Sequence, residues 1–187
     1  MKSERNAIIA PGRRRWCLAM AAATGSVAWG GVQARSHREL AWIDLMPADW
    51  DPRADLGDVR QLAGLPDSDP QVQQMYEHMR KLWDDAPTIA SLDGAWVKLP
   101  GYIVTLEMTQ DGLEEFLLVP YFGACVHTPP PPANQVVHVQ LAKPARDLYS
   151  MDPVWVTGRM RVQRSGSDVA VSGYSMKADG IVKHKRR

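Results

Sequence analysis

A chain of 187 residues is long enough for one domain of ordinary size, and 45 % hydrophobic with 23 % charged residues is a globular balance, not a disordered, collagenous or coiled-coil one. The formal charge of +1 averages unlike parts: residues 1–34 hold five of the 22 basic residues and one of the 21 acidic ones, and positions 183–187 hold four more basic ones. The body between carries 13 basic against 20 acidic residues, a balance of −7, which argues against a phosphate backbone as partner.

Arg13, Arg14 and Arg15 precede a short apolar run from Trp16 to Trp29 that ends in Val32-Gln33-Ala34, a small-residue cleavage pattern. Residues 1–34 therefore read as a cleaved signal peptide, which places the mature chain in the periplasm; the paired arginines permit the twin-arginine route as well as general secretion. The apolar run is too short and too rich in Ala and Gly to span a bilayer, and no other segment qualifies, so the mature chain is expected to have no transmembrane segment. With Cys17 removed, Cys125 is the only thiol left and no internal disulfide can form.

Residues 35–67, with Trp42, Leu45, Pro47 and Trp50 amid many acids and no sustained period, read as an extended strap whose two Trp side chains pack onto the domain. Ser68-Asp69-Pro70 is a helix start, Asp69 capping and Pro70 at the first helical position where its missing N–H costs nothing. Val72, Met75, Met79, Leu82 and Trp83 recur at steps of three and four, an apolar stripe on a helix running to about Asp85.

From Leu92 onward the pattern is β. Ala95–Leu99 and Tyr102–Glu107 are two segments of a first strand, parted by Pro100-Gly101, and Glu115–Tyr121, Gln135–Leu141, Pro153–Gln163 and Val169–Ala178 follow as the second to fifth with turns between. Five short strands after one amphipathic helix predict a mainly β domain over residues 68–180, a small five-stranded OB-like barrel, with a β-sandwich as the alternative. Residues 181–187 form a basic tail, expected to be a solvated, disordered run of like charge.

The chemistry concentrates in Pro120-Tyr121-Phe122-Gly123-Ala124-Cys125-Val126-His127-Thr128, four prolines (Pro129–Pro132) and Ala133-Asn134-Gln135. In extended backbone Cys125 and His127 project from one face, and thiolate with imidazole is a ligand pair that zinc and copper prefer. Four prolines in polyproline geometry make a stiff spacer of roughly 12 Å at about 3.1 Å per residue. His138 alternates with Val137 and Val139, so it points away from them and is the candidate third ligand. Three readings of these residues stay open: a zinc site at Cys125, His127 and His138; a metal-free interaction surface offering Tyr121, Phe122, Pro130 and Asn134; and a redox or nucleophilic thiol at Cys125.

Leu92-Asp93-Gly94, Leu99-Pro100-Gly101-Tyr102-Ile103-Val104 and Glu115-Phe116-Leu117-Leu118-Val119 leading into the Pro120–Gln135 segment resemble a bacterial exported family classed as a domain of unknown function, of the DUF3299 type, over about residues 42–180. Members resemble periplasmic proteins or lipoproteins, and some are encoded beside ABC-transporter components linked to zinc acquisition. The resemblance implies a metal-related envelope function, and with the residues above the first reading is a non-enzymatic exported protein that binds a transition metal, zinc favoured, and works with ABC-transporter components or envelope lipoproteins. It supplies no catalytic residue.

Overall fold

A strand with one face on a core and the other in water alternates apolar and polar side chains, and the second half of the chain does so repeatedly. The computed structural model, which describes residues 36–51, 53–54, 56–57, 59–125 and 130–184, contains β1 (Arg38–Glu39), α1 (Pro70–Asp84), β2 (Trp96–Thr109), β3 (Gly112–Val119), β4 (Val137–Ala145), β5 (Pro153–Gly166) and β6 (Val171–Lys183). The expected signal peptide and residues 185–187 lie outside the described residues; Ile181–Lys183, expected in a disordered tail, instead complete β6 by pairing with Val154–Val156 of β5.

The sheet order is β1-β2-β3-β4-β6-β5, and β5 pairs back onto β2. Strands β2 to β6 thus close a five-stranded barrel in which β4 and β6 run parallel and the other barrel pairs antiparallel, the OB arrangement. Closure excludes the sandwich. It depends on the length of β2: Trp96–Tyr102 pair with β5, and Tyr102–Thr109 pair with β3. Inward-facing Val97, Leu99, Ile103, Phe116, Leu118, Val139, Val156 and Met160 are buried and fill the barrel.

Pro100-Gly101 does not break this strand, contrary to expectation. In an antiparallel strand a residue's N–H and C=O point to the same side, and the Pro100 carbonyl accepts from Trp42 Nε1 at 2.7 Å. The proline's backbone therefore faces away from β5, on an edge where no strand needs its missing N–H. Gly101 is needed for a different reason: a Cβ there would come within 2.8 Å of the Leu118 side chain and the Val119 carbonyl, so only glycine lets β3 approach. Strand β4 begins at Val137, not at the expected Gln135, because Ala133–Gln135 form a 3-10 turn.

Helix α1 starts as expected, Asp69 Oδ1 accepting from the Gln71 amide at 2.8 Å with Pro70 next in line. Its stripe is less covered than periodicity implies, for Val72 is buried while Met75, Met79, Leu82 and Trp83 are half-buried. The strap is not uniformly extended either. β1 pairs parallel with β2 (Arg38 opposite Val97, Glu39 opposite Lys98), and 3-10 turns occupy Trp42–Leu45 and Val59–Leu62. Leu40 and Leu45 enter the main core and Trp42 packs against it, whereas Trp50 is half-buried.

Further polar contacts tie the strap down. The fully buried Tyr174 of β6 donates its hydroxyl to the Leu45 carbonyl at 2.8 Å and accepts from the Ile89 amide at 2.7 Å. At the surface, Asp179 takes His37 Nε2 at 3.0 Å and the Thr157 hydroxyl at 2.9 Å. Burial alone would raise the Asp179 carboxyl, but the hydrogen bonds from Thr157 and His37 outweigh it and hold the pKa below its ordinary 3.8.

Tyr174→Phe should be strongly destabilising, because it leaves a carbonyl and an amide without their partner at about 1–3 kcal/mol for each buried group. Melting curves should show a fall of several degrees, about 2–4 °C per kcal/mol for a domain of this size. Asp179→Asn should act through pH. A carboxyl with a depressed folded pKa contributes stability above its unfolded value and loses it as pH falls through the folded one. Denaturant titrations from pH 7 to 3 should therefore show the wild-type advantage near neutrality and its disappearance below the ordinary carboxylate range.

Candidate functional site

The described part of the Pro120–Gln135 segment turns at Cys125 and is not extended there. Cys125 lies in a turn at φ 65°, just after Gly123 at φ 84°, and the rule that residues two apart share a face holds only for extended chain. His127 lies outside the described residues. Cys125 is half-buried against an apolar cluster on the outer face of β2 and β3, formed by Val104, Leu117, Val119 and Ala124 with Val136. Burial pushes its thiol up to about 11, so it is protonated near neutrality, the reverse of what a nucleophilic or redox thiol needs. Among the described residues no three His, Cys, Asp or Glu side chains gather as metal ligands.

The other singled-out residues separate. Tyr121 and Phe122 are exposed, and the Phe122 ring meets Tyr102 edge-on with centroids 5.9 Å apart. Pro130 is half-buried at the margin of a 290 Å³ groove along α1 beside Tyr76, Met79 and Trp83. Asn134 is no contact for a partner. It is fully buried and donates Nδ2 to the Pro87 carbonyl at 2.9 Å, while Gln135 Nε2 reaches the Trp42 carbonyl at 2.8 Å. The end of the proline run is therefore stapled to the exit of α1 and to the strap, and Pro132 at φ −53°, ψ 147° has the polyproline conformation expected of it.

His138 is where side chains converge. Val137 and Val139 are buried in the barrel, and His138 points outward as alternation requires. The register lines up one outward row across five strands: Val104, Leu117, His138, Ser175 and Arg161. The next row holds Glu115, Gln140, Lys177 and Arg159. The outer surface thus grades from apolar over β2 and β3 to polar and cationic over β4, β6 and β5, and His138 stands at the change.

Two clefts meet there. One, of about 530 Å³, is lined by His138, Gln140, Arg159, Arg161, Gln163, Ser165, Ser175, Met176 and Lys177. The other, of about 400 Å³, shares His138 and Ser165 and continues past Glu115 and Thr105 under the 165–170 turn that joins β5 to β6. Glu115 organises the junction, its Oε2 lying 3.0 Å from His138 Nε2 and its Oε1 accepting from Gln140 Nε2 at 2.8 Å. A carboxylate only accepts, so Nε2 is the donor in this contact. Arg159 Nε donates to the Gly94 carbonyl at 3.2 Å, and Arg161 Nε pairs with Asp93 Oδ1 at 3.1 Å. Thr105 Oγ1, on the second cleft, is buried without a hydrogen-bond partner among the described residues. Sequence reasoning found His138 but not Glu115, Gln140, Arg159, Arg161 or Lys177. The alternation Arg159-x-Arg161-x-Gln163 shows a polar strand face, yet the parallel β4–β6 pairing that brings it to His138 leaves no local trace.

An OB-type barrel with an elaborated polar outer face is the class that fold and site define. The chain belongs to the family described as Protein of unknown function (DUF3299), whose profile matches residues 42–183. The crystal structure of a DUF3299 family protein from Pseudomonas aeruginosa PAO1 at 2.45 Å resolution is similar at 38 % identity and TM-score 0.62, covering 82 % of this chain and 99 % of that one. A small single-stranded DNA-binding protein from Streptomyces coelicolor matches at 18 % identity and TM-score 0.31, covering 49 % of this chain and 94 % of that one. No curated protein matches.

The burial of Cys125 has a kinetic signature. Alkylation requires thiolate, so its rate should climb about tenfold per pH unit past the ordinary thiol value of 9.0 and level off only near 11. Mass-spectrometric labelling of folded protein against a denatured control measures this. A plateau by pH 9 in the folded protein would contradict it.

Proposed function

We propose that this chain is a non-enzymatic binding protein of the bacterial envelope, exported with residues 1–34 removed, that holds an extended polar segment of a partner along the His138-centred cleft. ABC-transporter components and envelope lipoproteins are the partners the family resemblance points to. The observation that supports this reading is the continuous outward row from Leu117 through His138 and Ser175 to Arg161, with hydrogen-bonding side chains on both sides of it. Gln140, Gln163, Ser165 and Ser175 offer donors and acceptors to a polar chain laid across the strands. Among the described residues no Phe, Tyr or Trp lines either cleft, so His138 is the one ring there that could stack on a base of a single-stranded nucleic acid.

Zinc is a second reading, favoured by one observation. A histidine held through one ring nitrogen by a carboxylate, as Glu115 holds His138, is the arrangement that orients a metal-ligating imidazole. Cys125 and His127 would be its companions. Zinc would have to displace the proton that burial favours on Cys125, releasing it on binding, so loading would strengthen with rising pH.

Photo-crosslinking residues placed at Gln140 and Gln163, with a control at the exposed Val182, test the binding face in living cells. Discrete adducts from the two cleft positions and not from Val182 are expected. Cleft positions no more productive than Val182 would contradict the reading. Metal analysis of the untagged protein judges the second: about one zinc per chain, lost in His138→Ala, supports it, and zinc that survives that change moves the metal elsewhere.

A further inference from the structure

The row beside His138 contains an arrangement that a sheet ordinarily avoids. Arg159 of β5 and Lys177 of β6 are directly paired across the strands, both pointing outward, so their Cβ atoms lie about 4.5–5.5 Å apart. Like charges directly opposite destabilise a sheet, and the acidic body of this chain could have supplied a carboxylate at either position. It does not: the Lys177 ammonium makes no hydrogen bond or ion pair among the described residues, and the Arg159 guanidinium is held there only through Nε, on the Gly94 carbonyl. The flanking carboxylates are engaged elsewhere. Asp179 is taken by His37 and Thr157, Asp93 by Arg161 and the Val162 amide, and Glu115 by His138 and Gln140.

The backbone also prepares the site. Gly94, at φ 79°, brings its carbonyl to Arg159, and a Cβ there would sit 3.4 Å from Nη2, so the missing side chain leaves that end of the guanidinium uncrowded. With Nε spent on a fixed carbonyl, the fork is oriented while its terminal nitrogens stay uncommitted. Lys177 adds a mobile ammonium on one side, and Arg161, two residues along β5 on the same face, adds a second, partly neutralised guanidinium.

We infer that the Arg159–Lys177 pair is an oxyanion seat, and that the ligand of the cleft carries a phosphate or carboxylate group which bridges the two cations. An anion there converts an unfavourable like-charge pair into two charge-assisted hydrogen-bonding contacts, with Gln140 beside Lys177 as a neutral donor. The inference rests on the cleft being the binding face and names the chemistry that face selects.

Titration of the ¹⁵N-labelled protein with inorganic phosphate and, separately, with citrate at low ionic strength tests the seat, with chloride as control. Saturable shifts of the Arg159, Arg161 and Lys177 amides are expected. Saturation by phosphate alone marks a phosphoryl ligand, and saturation by citrate alone a carboxylate one. Arg159→Gln and Lys177→Gln should each weaken binding at least tenfold. Lys177→Glu should abolish it and raise the melting temperature without anion, because it turns the repulsive pair into an attractive one. Shifts no larger than those with chloride, binding unchanged in Lys177→Gln, or a lower melting temperature in Lys177→Glu would overturn the inference. Cleft crosslinks that persist while both anions are silent would remove the seat and keep the binding face. Saturable shifts without crosslinks would keep the seat and remove the partner.

Discussion

One buried hydroxyl joins three parts of this molecule that lie far apart in the chain. Tyr174 is on the last barrel strand, Leu45 in the strap and Ile89 in the connection between α1 and the barrel, and the phenol gives its proton to one and takes a proton from the other. Each of these backbone groups would otherwise need another partner in a place water reaches poorly. Burial raises the Tyr174 pKa although the Ile89 amide pulls the other way, so the hydroxyl keeps the proton that the bond to Leu45 requires. The strap is thereby part of the fold: it brings Leu40 and Leu45 into the core and the Trp42 indole to the open edge of β2.

That clamp sets which surfaces remain for function. The strap and its turn take the side of the barrel around Pro100, and the turn at 121–125 covers the apolar outer face of β2 and β3 with Ala124 and Cys125. Among the described residues nothing is packed over the outer face of β4, β6 and β5 at the first cleft, where the outward positions are Gln140, Ser175, Lys177, Arg159, Arg161 and Gln163. A closed barrel has no long free edge by which to recruit a strand, so side chains on its wall are the means of contact. Glu115, on β3 at the margin of that wall, matters because it fixes two neighbours at once, His138 and Gln140.

The barrel was legible in the sequence because its strands alternate strongly, and the helix start because Asp69-Pro70 is a local signal. Pro100-Gly101 misled for a reason that is not local: a proline breaks a ladder only where its N–H is wanted, and the indole that occupies that edge comes from Trp42, 58 residues earlier. Asn134 misled in the same way, since a polar residue after a proline run looks exposed until Pro87 is known to receive its amide. The shared face suggested for Cys125 and His127 presupposes extended backbone, which Cys125 at φ 65° does not have, and His127 lies outside the described residues. The cationic wall escaped notice because its two halves, Arg159-x-Arg161 and Lys177, meet through strand register, which a single sequence does not display.

If the strap and the barrel are one cooperative unit, the Ile89 amide that donates to Tyr174 can exchange with solvent only when the whole domain unfolds. Native-state hydrogen exchange across a denaturant series measures this directly. The account predicts that Ile89 has the same exchange free energy and denaturant dependence as the central amides of β2 and β6. Exchange of Ile89 through a smaller, denaturant-independent opening, with the barrel amides still protected, would contradict it.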